Sequence, residues 1–265
     1  MPRLAANLNF LFQELPLLGR FAAAAEAGFR AVELTNPYEV SAEAIAERLE
    51  RHRLTLALLN MPAGDAGQGE RGLGALPGRE ADFMRAAERA LSYARITRCS
   101  RVHALSGVWP EARPKEEGTA VLVPNLRRAA ALFAPAGVNL TIEPINPRDI
   151  PGYFLNTPAD AIAILDRVAR DAVKLQLDLY HCQIVAGDLA GHLRRLSGRY
   201  GHIQIAGVPE RHEPDRGEVN YAYLFDLIDA LGYDGWIGCE YRPAAGTVAG
   251  LGWARGWLED RTARV

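Results

Sequence analysis

The chain has 265 residues, 49% hydrophobic and 23% charged, with a formal net charge of −2. That length allows one large domain or two small ones, and the near-neutral balance offers no electrostatic basis for nucleic acid or an anionic membrane as a partner. Its three cysteines, Cys99, Cys182 and Cys239, include no Cys-x-x-Cys pair, which argues against a disulfide framework or a thiolate zinc site and for a reducing cytoplasm.

No signal-peptide core follows Met1, and no apolar run approaches the roughly 18 residues of a membrane span. Short strand-like runs then alternate with longer helical ones. The first strand is expected over 4–9, followed by a helix through 21–27 that stops at Gly28, and a second strand over 31–34. Ser41 caps a helix over 42–52, and a third strand over 54–59 leads into a Gly-rich loop over 62–78, long enough to be mobile or functional. A helix over 79–95, a strand over 101–105 and a helix over 115–134 follow, with Pro124 expected to kink the last or mark a restart.

The fifth strand covers 139–143, and Thr157-Pro158 opens a helix through 168. Strands over 173–179, 202–206 and 236–241 alternate with helices over 188–196, 221–231 and 247–258. No linker interrupts the alternation, so 1–265 reads as one domain. About eight such units over roughly 250 residues is the size of a (β/α)₈ TIM barrel. A doubly wound sheet competes, but no Gly-x-Gly-x-x-Gly follows the first strand.

The chemistry-bearing residues sit at strand ends. Glu143 closes an apolar strand, where burying an unpaired charge is costly, and Pro144 ends the ladder beside it. Asp178, Gln204 and Glu240 end the next three strands in the same way. In a barrel of about 31 residues per unit all four project into one mouth. Three like charges there need neutralising, and an all-oxygen set suits Mg²⁺ or Mn²⁺. For any one residue alone, a capped strand end or a salt bridge serves as well. His181, expected on the loop after the sixth strand, could ligate, shuttle protons or donate to a substrate hydroxyl; His103 lies inside the fourth strand as a core residue or a substrate contact. Cys239 should face away from Glu240 by strand alternation. The loop arginines Arg71, Arg148, Arg211 and Arg216 are candidates to clamp a carboxylate.

Several longer stretches carry a resemblance nearly end to end. They include Ala5-Ala-Asn7, Asn60-Met-Pro-Ala-Gly-Asp65, Glu143-Pro-Ile-Asn146, Asp178-Leu-Tyr-His181, Gln204-Ile-Ala-Gly207, Arg211-His-Glu-Pro214 and Gly238-Cys-Glu-Tyr241. With these the chain resembles hydroxypyruvate isomerases, within the xylose-isomerase-like barrels that also hold ketose 3-epimerases and 2-oxo-tetronate isomerases. The resemblance implies a TIM barrel and a divalent metal on Glu143, Asp178, Gln204 and Glu240. It also implies that Glu143 and Glu240 are the acid/base pair and that His181 touches substrate. Related ketose epimerases have histidine where Gln204 stands, which pulls toward the hydroxypyruvate branch. Leu34-Thr-Asn36 departs from a more aromatic family pattern and leaves pocket shape open.

The expected reaction is interconversion of hydroxypyruvate and tartronate semialdehyde through an enediolate, with Arg71, Arg148 or Arg211 on the carboxylate. A 2-oxo-tetronate isomerase and a ketose 3-epimerase are the alternatives. A DNA-repair endonuclease is disfavoured by only six histidines, mostly off the strand ends, and a non-catalytic sugar-binding barrel would show no turnover. The expected partner is a small hydroxy or oxo acid, with homo-oligomerisation left open.

Overall fold

Alternation along each strand divides its side chains between two environments. Leu140 and Ile142, Leu175 and Leu177, Ile203 and Ile205, and Ile237 and Cys239 belong to the large core between strands and helices. The residues between them, among them Thr141, Gln176, His202 and Gln204, are buried and polar. Such strands are covered on both faces, which only a parallel sheet wrapped in helices provides.

The computed structural model describes residues 2–258. Eight parallel strands close into a barrel in chain order: β1 (Arg3–Asn7), β2 (Ala31–Leu34), β3 (Thr55–Asn60), β4 (Arg101–His103), β5 (Asn139–Ile142), β6 (Val173–Asp178), β7 (Tyr200–Ile205) and β8 (Trp236–Cys239). β1 pairs with both β2 and β8, with Ala5 opposite Ala31 on one side and Gly238 on the other. The helices α1 (Leu17–Glu26), α2 (Ala42–Arg51), α3 (Glu80–Thr97), α4 (Lys115–Phe133), α5 (Pro158–Val168), α6 (Leu179–Val185), α7 (Leu189–Arg195) and α8 (Tyr221–Ala230) lie in the connections. This is a single-domain TIM barrel.

The N-terminal end of the barrel is plugged by Ala5, Ala31 and Ala57 against Trp236, and the Arg3 guanidinium stacks 4.0 Å from that indole. Interior polarity rises toward the C-terminal ends of the strands. Thr157 and Asp160 form a capping box that starts α5 directly after the fifth βα loop.

Three expectations are corrected. α4 does not restart at Pro124, because the buried face on either side of it (Leu122, Val123, Leu126, Ala129, Phe133) outweighs one lost backbone donor. His181 lies on a helix rather than a loop: α6 follows β6 without a gap, capped by Asp178 Oδ1 accepting from Tyr180 N at 2.8 Å. The closing helix is three short pieces, α9 (Thr247–Gly250), a 3₁₀ turn (Leu251–Ala254) and α10 (Arg255–Leu258), since Gly250, Gly252 and Gly256 weaken helical continuity. The loop over 62–78 contains a 3₁₀ turn, Ala66–Gln68, and is anchored by the Gly72–Ser106 bridge and by Arg79 on Glu70. Among the described residues no helix is long and apolar enough to cross a membrane.

Candidate active site

At the C-terminal mouth the inward side chains of β5 to β8 converge. Glu143, Asp178, Gln204 and Glu240 are all buried there, none more than 8% exposed. Gln204 Nε2 donates to Glu240 Oε2 at 2.7 Å, and Asn7 Nδ2, from β1, donates to the same oxygen at 2.9 Å. Glu240 Oε1 accepts from Arg211 Nη2 at 2.6 Å. On the other side, Glu143 Oε2 lies 3.5 Å from His103 Nδ1, and His181 Nε2 is 3.9 Å from Glu143 Oε1 and 3.6 Å from Asp178 Oδ2.

Electrostatics follow from crowding carboxylates in a low-dielectric space. Burial, then repulsion from Glu240 and Asp178, raises the Glu143 carboxyl well above its ordinary range. Burial lifts Asp178 to about 6 and Glu240 to about 8, in each case against the pull of Arg211. Burial alone would lower Arg211, but Glu240, Asp178, Asp149 and Glu143 raise it overall, so the guanidinium stays charged. Burial pushes His103 down to about 3 and His181 well below its usual range, so both imidazoles are neutral.

The tautomer of His181 is set by the loop after β5. Asn146 Oδ1 accepts from the backbone N–H groups of Arg148 and Asp149, at 2.9 and 3.0 Å. Its amide nitrogen is therefore the atom facing His181 Nδ1, at 2.6 Å. Nδ1 accepts, so the proton of the neutral ring sits on Nε2, directed at the space beside Glu143 and Asp178.

Glu143 Oε1 and Asp178 Oδ2 are buried with no hydrogen-bond partner among the described residues, and with His181 they form a cluster compact enough for a metal ion. Two orphaned carboxylate oxygens fit a hard divalent cation. The protonated Nε2 makes His181 a donor beside such an ion rather than a ligand. Glu240 and Gln204 border the same space, with the Gln204 oxygen now accepting from Gln176 Nε2 at 2.7 Å.

Of the four loop arginines that were candidates for a carboxylate, only Arg211 enters the cluster. It bridges Glu240 and Asp149 and packs its guanidinium 4.8 Å from the Phe10 ring and 4.9 Å from Tyr180. Arg71 is exposed and turned onto the carbonyl of Glu70, and Arg148 is exposed on its loop. Arg216 is likewise exposed, 3.9 Å from Glu213. Cys239 faces the outer core, away from Glu240. Sequence reasoning missed Glu33, and it gave Asn7 and Asn146, both within the stretches that carry the resemblance, no role of their own. A charge at the inward position of the apolar run Ala31-Val-Glu33-Leu was the available signal for the first.

The family model for xylose isomerase-like TIM barrels matches residues 21–258. The chain belongs to that family. A 2-oxo-tetronate isomerase of Cupriavidus necator is 55% identical over 97% of this chain and 99% of its own length. A hydroxypyruvate isomerase of Escherichia coli is 42% identical over 96% of this chain and 98% of its own. Among solved structures, one described as an AP endonuclease, family 2, from Brucella melitensis superposes with a TM-score of 0.96 at 46% identity, covering 98% of this chain and 100% of that one. The protein is an isomerase of this family.

Proposed function

We propose that the enzyme interconverts the 2-oxo and 3-oxo forms of a short hydroxy acid, with the four-carbon 2-oxo-tetronate as its substrate. The observation that carries this reading is a charged Arg211 fixed beside Glu240 in a mouth otherwise built of carboxylates. A carboxylate substrate matches its fork, in exchange for the contact it makes with Asp149. The choice of four carbons rests on the C. necator relative. Hydroxypyruvate is the second reading, favoured by the relatives at 42–44% identity that carry that name.

In this scheme one of Glu143 and Glu240 takes the proton from C3 to leave an enediolate, the proton of the C3 hydroxyl passes to the C2 oxygen, and the other glutamate, protonated at the start, delivers its proton to C2 as the C3 oxygen becomes the carbonyl. The His181 Nε2–H donates to a substrate oxygen on the Glu143 side. Mg²⁺ or Mn²⁺, held by Glu143 and Asp178 with Glu240 and Gln204 alongside, would supply electrostatic stabilisation of the developing negative charge.

The test is a side-by-side assay with Mg²⁺ or Mn²⁺ of 2-oxo-tetronate, hydroxypyruvate and an uncharged ketose. Turnover should be greatest on 2-oxo-tetronate, and Arg211→Gln should lower kcat/KM on both acids. Preferred epimerisation of the ketose at C3 would overturn the proposal.

A further inference from the structure

We propose that Glu33 is a positioning residue for Glu240, acting from inside the barrel through Asn7 and Gln204. Glu33 is fully buried on β2, one residue before the strand ends, and points inward. Its Oε1 accepts from His202 Nε2. Its Oε2 accepts from Asn7 Nδ2 at 3.2 Å and from Gln204 Nε2 at 2.9 Å. These two amide nitrogens are the same ones that hold Glu240 Oε2. Glu33 and Glu240 thus share a pair of donors, one from β1 and one from β7.

Asn7 and Gln204 each turn an amide nitrogen to both glutamates, whose oxygens accept. Asn7 commits its oxygen to Asn9 N at 3.0 Å, leaving its nitrogen for the two carboxylates. Gln204 must turn its nitrogen toward Glu33, so its oxygen accepts from Gln176, whose own oxygen accepts from Thr141 Oγ1 at 2.9 Å. The polarity set at Glu33 therefore runs across four strands.

The barrel also makes room for this carboxylate. Gly238, paired with Gln204 on β8, has no side chain, and a Cβ there would fall on the Glu33 carboxylate group. Glu33 has no hydrogen bond to Glu240 and none of the cluster's orphaned oxygens, so its influence passes through the amides. The inference rests on Glu240 acting in proton transfer.

The decisive variant is Glu33→Gln, which keeps shape but brings an amide N–H₂ where only acceptors fit. A crystal structure of E33Q should show Glu240 rotated or split between two positions on an unchanged backbone. With Mg²⁺ or Mn²⁺ present, kcat should fall about 10- to 100-fold, the range for partners that orient active-site ligands, while KM is unchanged. Gly238→Ala, which presses on Glu33 without replacing any member of the network, should give the same kcat-only defect and carries the test if E33Q does not fold. Glu240 in its wild-type position in the variant structure, a wild-type kcat, or a rise in KM alone would each overturn the proposal. The structural readout needs no substrate, so failure of the wild-type enzyme to turn over either acid would sink the proposed reaction and leave this inference standing.

Discussion

Glu143 and Glu240 are chemically alike and differently housed. Glu240 has both oxygens occupied, by Arg211 on one side and by Asn7 and Gln204 on the other. Glu143 keeps a buried oxygen without a partner. Gln keeps the size of each side chain, and Arg211 retains Asp149 as a partner, so either change should cost chemistry rather than folding. Glu143→Gln and Glu240→Gln are each expected to lower kcat by at least about 10²- to 10⁴-fold with an unchanged circular dichroism spectrum, and near-normal turnover in either would sink the two-glutamate scheme. The ring of His181 offers a check that needs no variant. In ¹⁵N NMR at neutral pH it should show a bare Nδ1 and a protonated Nε2, and the reverse pattern would break the link to Asn146 drawn from the 2.6 Å contact. Glu143 was legible because a charge ending an apolar strand is conspicuous. Glu33 sits at the same kind of inward position and was open to the same argument, but its strand has no neighbouring motif to draw the eye. Arg211 could not be told from Arg71 and Arg148, since the direction of a loop side chain depends on contacts with other loops, here Phe10, Asp149 and Tyr180.

The elements themselves were read closely. Strands buried on both faces appear as short apolar runs, and β2 begins and ends where periodicity places it. Expected bounds failed where one residue does two jobs. Asp178 ends β6 and caps α6 in the same side chain, so no turn residues announce the helix and His181 looked like a loop residue. Capping elsewhere was explicit, as at Thr157-Pro158. There the structure adds the reciprocal bond from Thr157 N to Asp160 Oδ2 at 3.2 Å. Thr157→Ala should lower the unfolding free energy by about 1 kcal/mol in a denaturant titration. It should leave kcat unchanged, because neither Thr157 nor Asp160 reaches the mouth cluster.

For the whole molecule, the crowded carboxyls impose a pH dependence whose sign can be worked out. Asp178 and Glu240 rise from 3.8 and 4.5 to about 6 and about 8, and Glu143 rises as well, so between these limits the folded chain binds more protons than the unfolded one. Stability from these groups is present at low pH and lost as pH climbs through the folded values. His103 and His181 oppose this below their ordinary 6.5, where the unfolded chain gains protons that the folded one refuses. Above that point they are silent. The metal-free protein should therefore show a Tm that falls between about pH 6.5 and 8.5, and adding Mg²⁺ or Mn²⁺ at the upper end should raise it. A flat profile in calorimetry would mean that the carboxyls are not crowded as the geometry implies.

The seam between β1 and β8 has a consequence for how the chain comes to be assembled. Glu33 and Asn7 are made early in synthesis, while Gln204 and Glu240, which complete their hydrogen bonds, lie near the other end of the chain. A polypeptide still growing on the ribosome holds an uncompensated carboxylate and an open sheet edge until the last strand arrives. Closure of the ring and completion of the hydrogen bonds around Glu240 are then a single late event, rich in contacts between distant residues and correspondingly slow. A chain stopped before residue 236 would be left with neither a barrel nor an active centre.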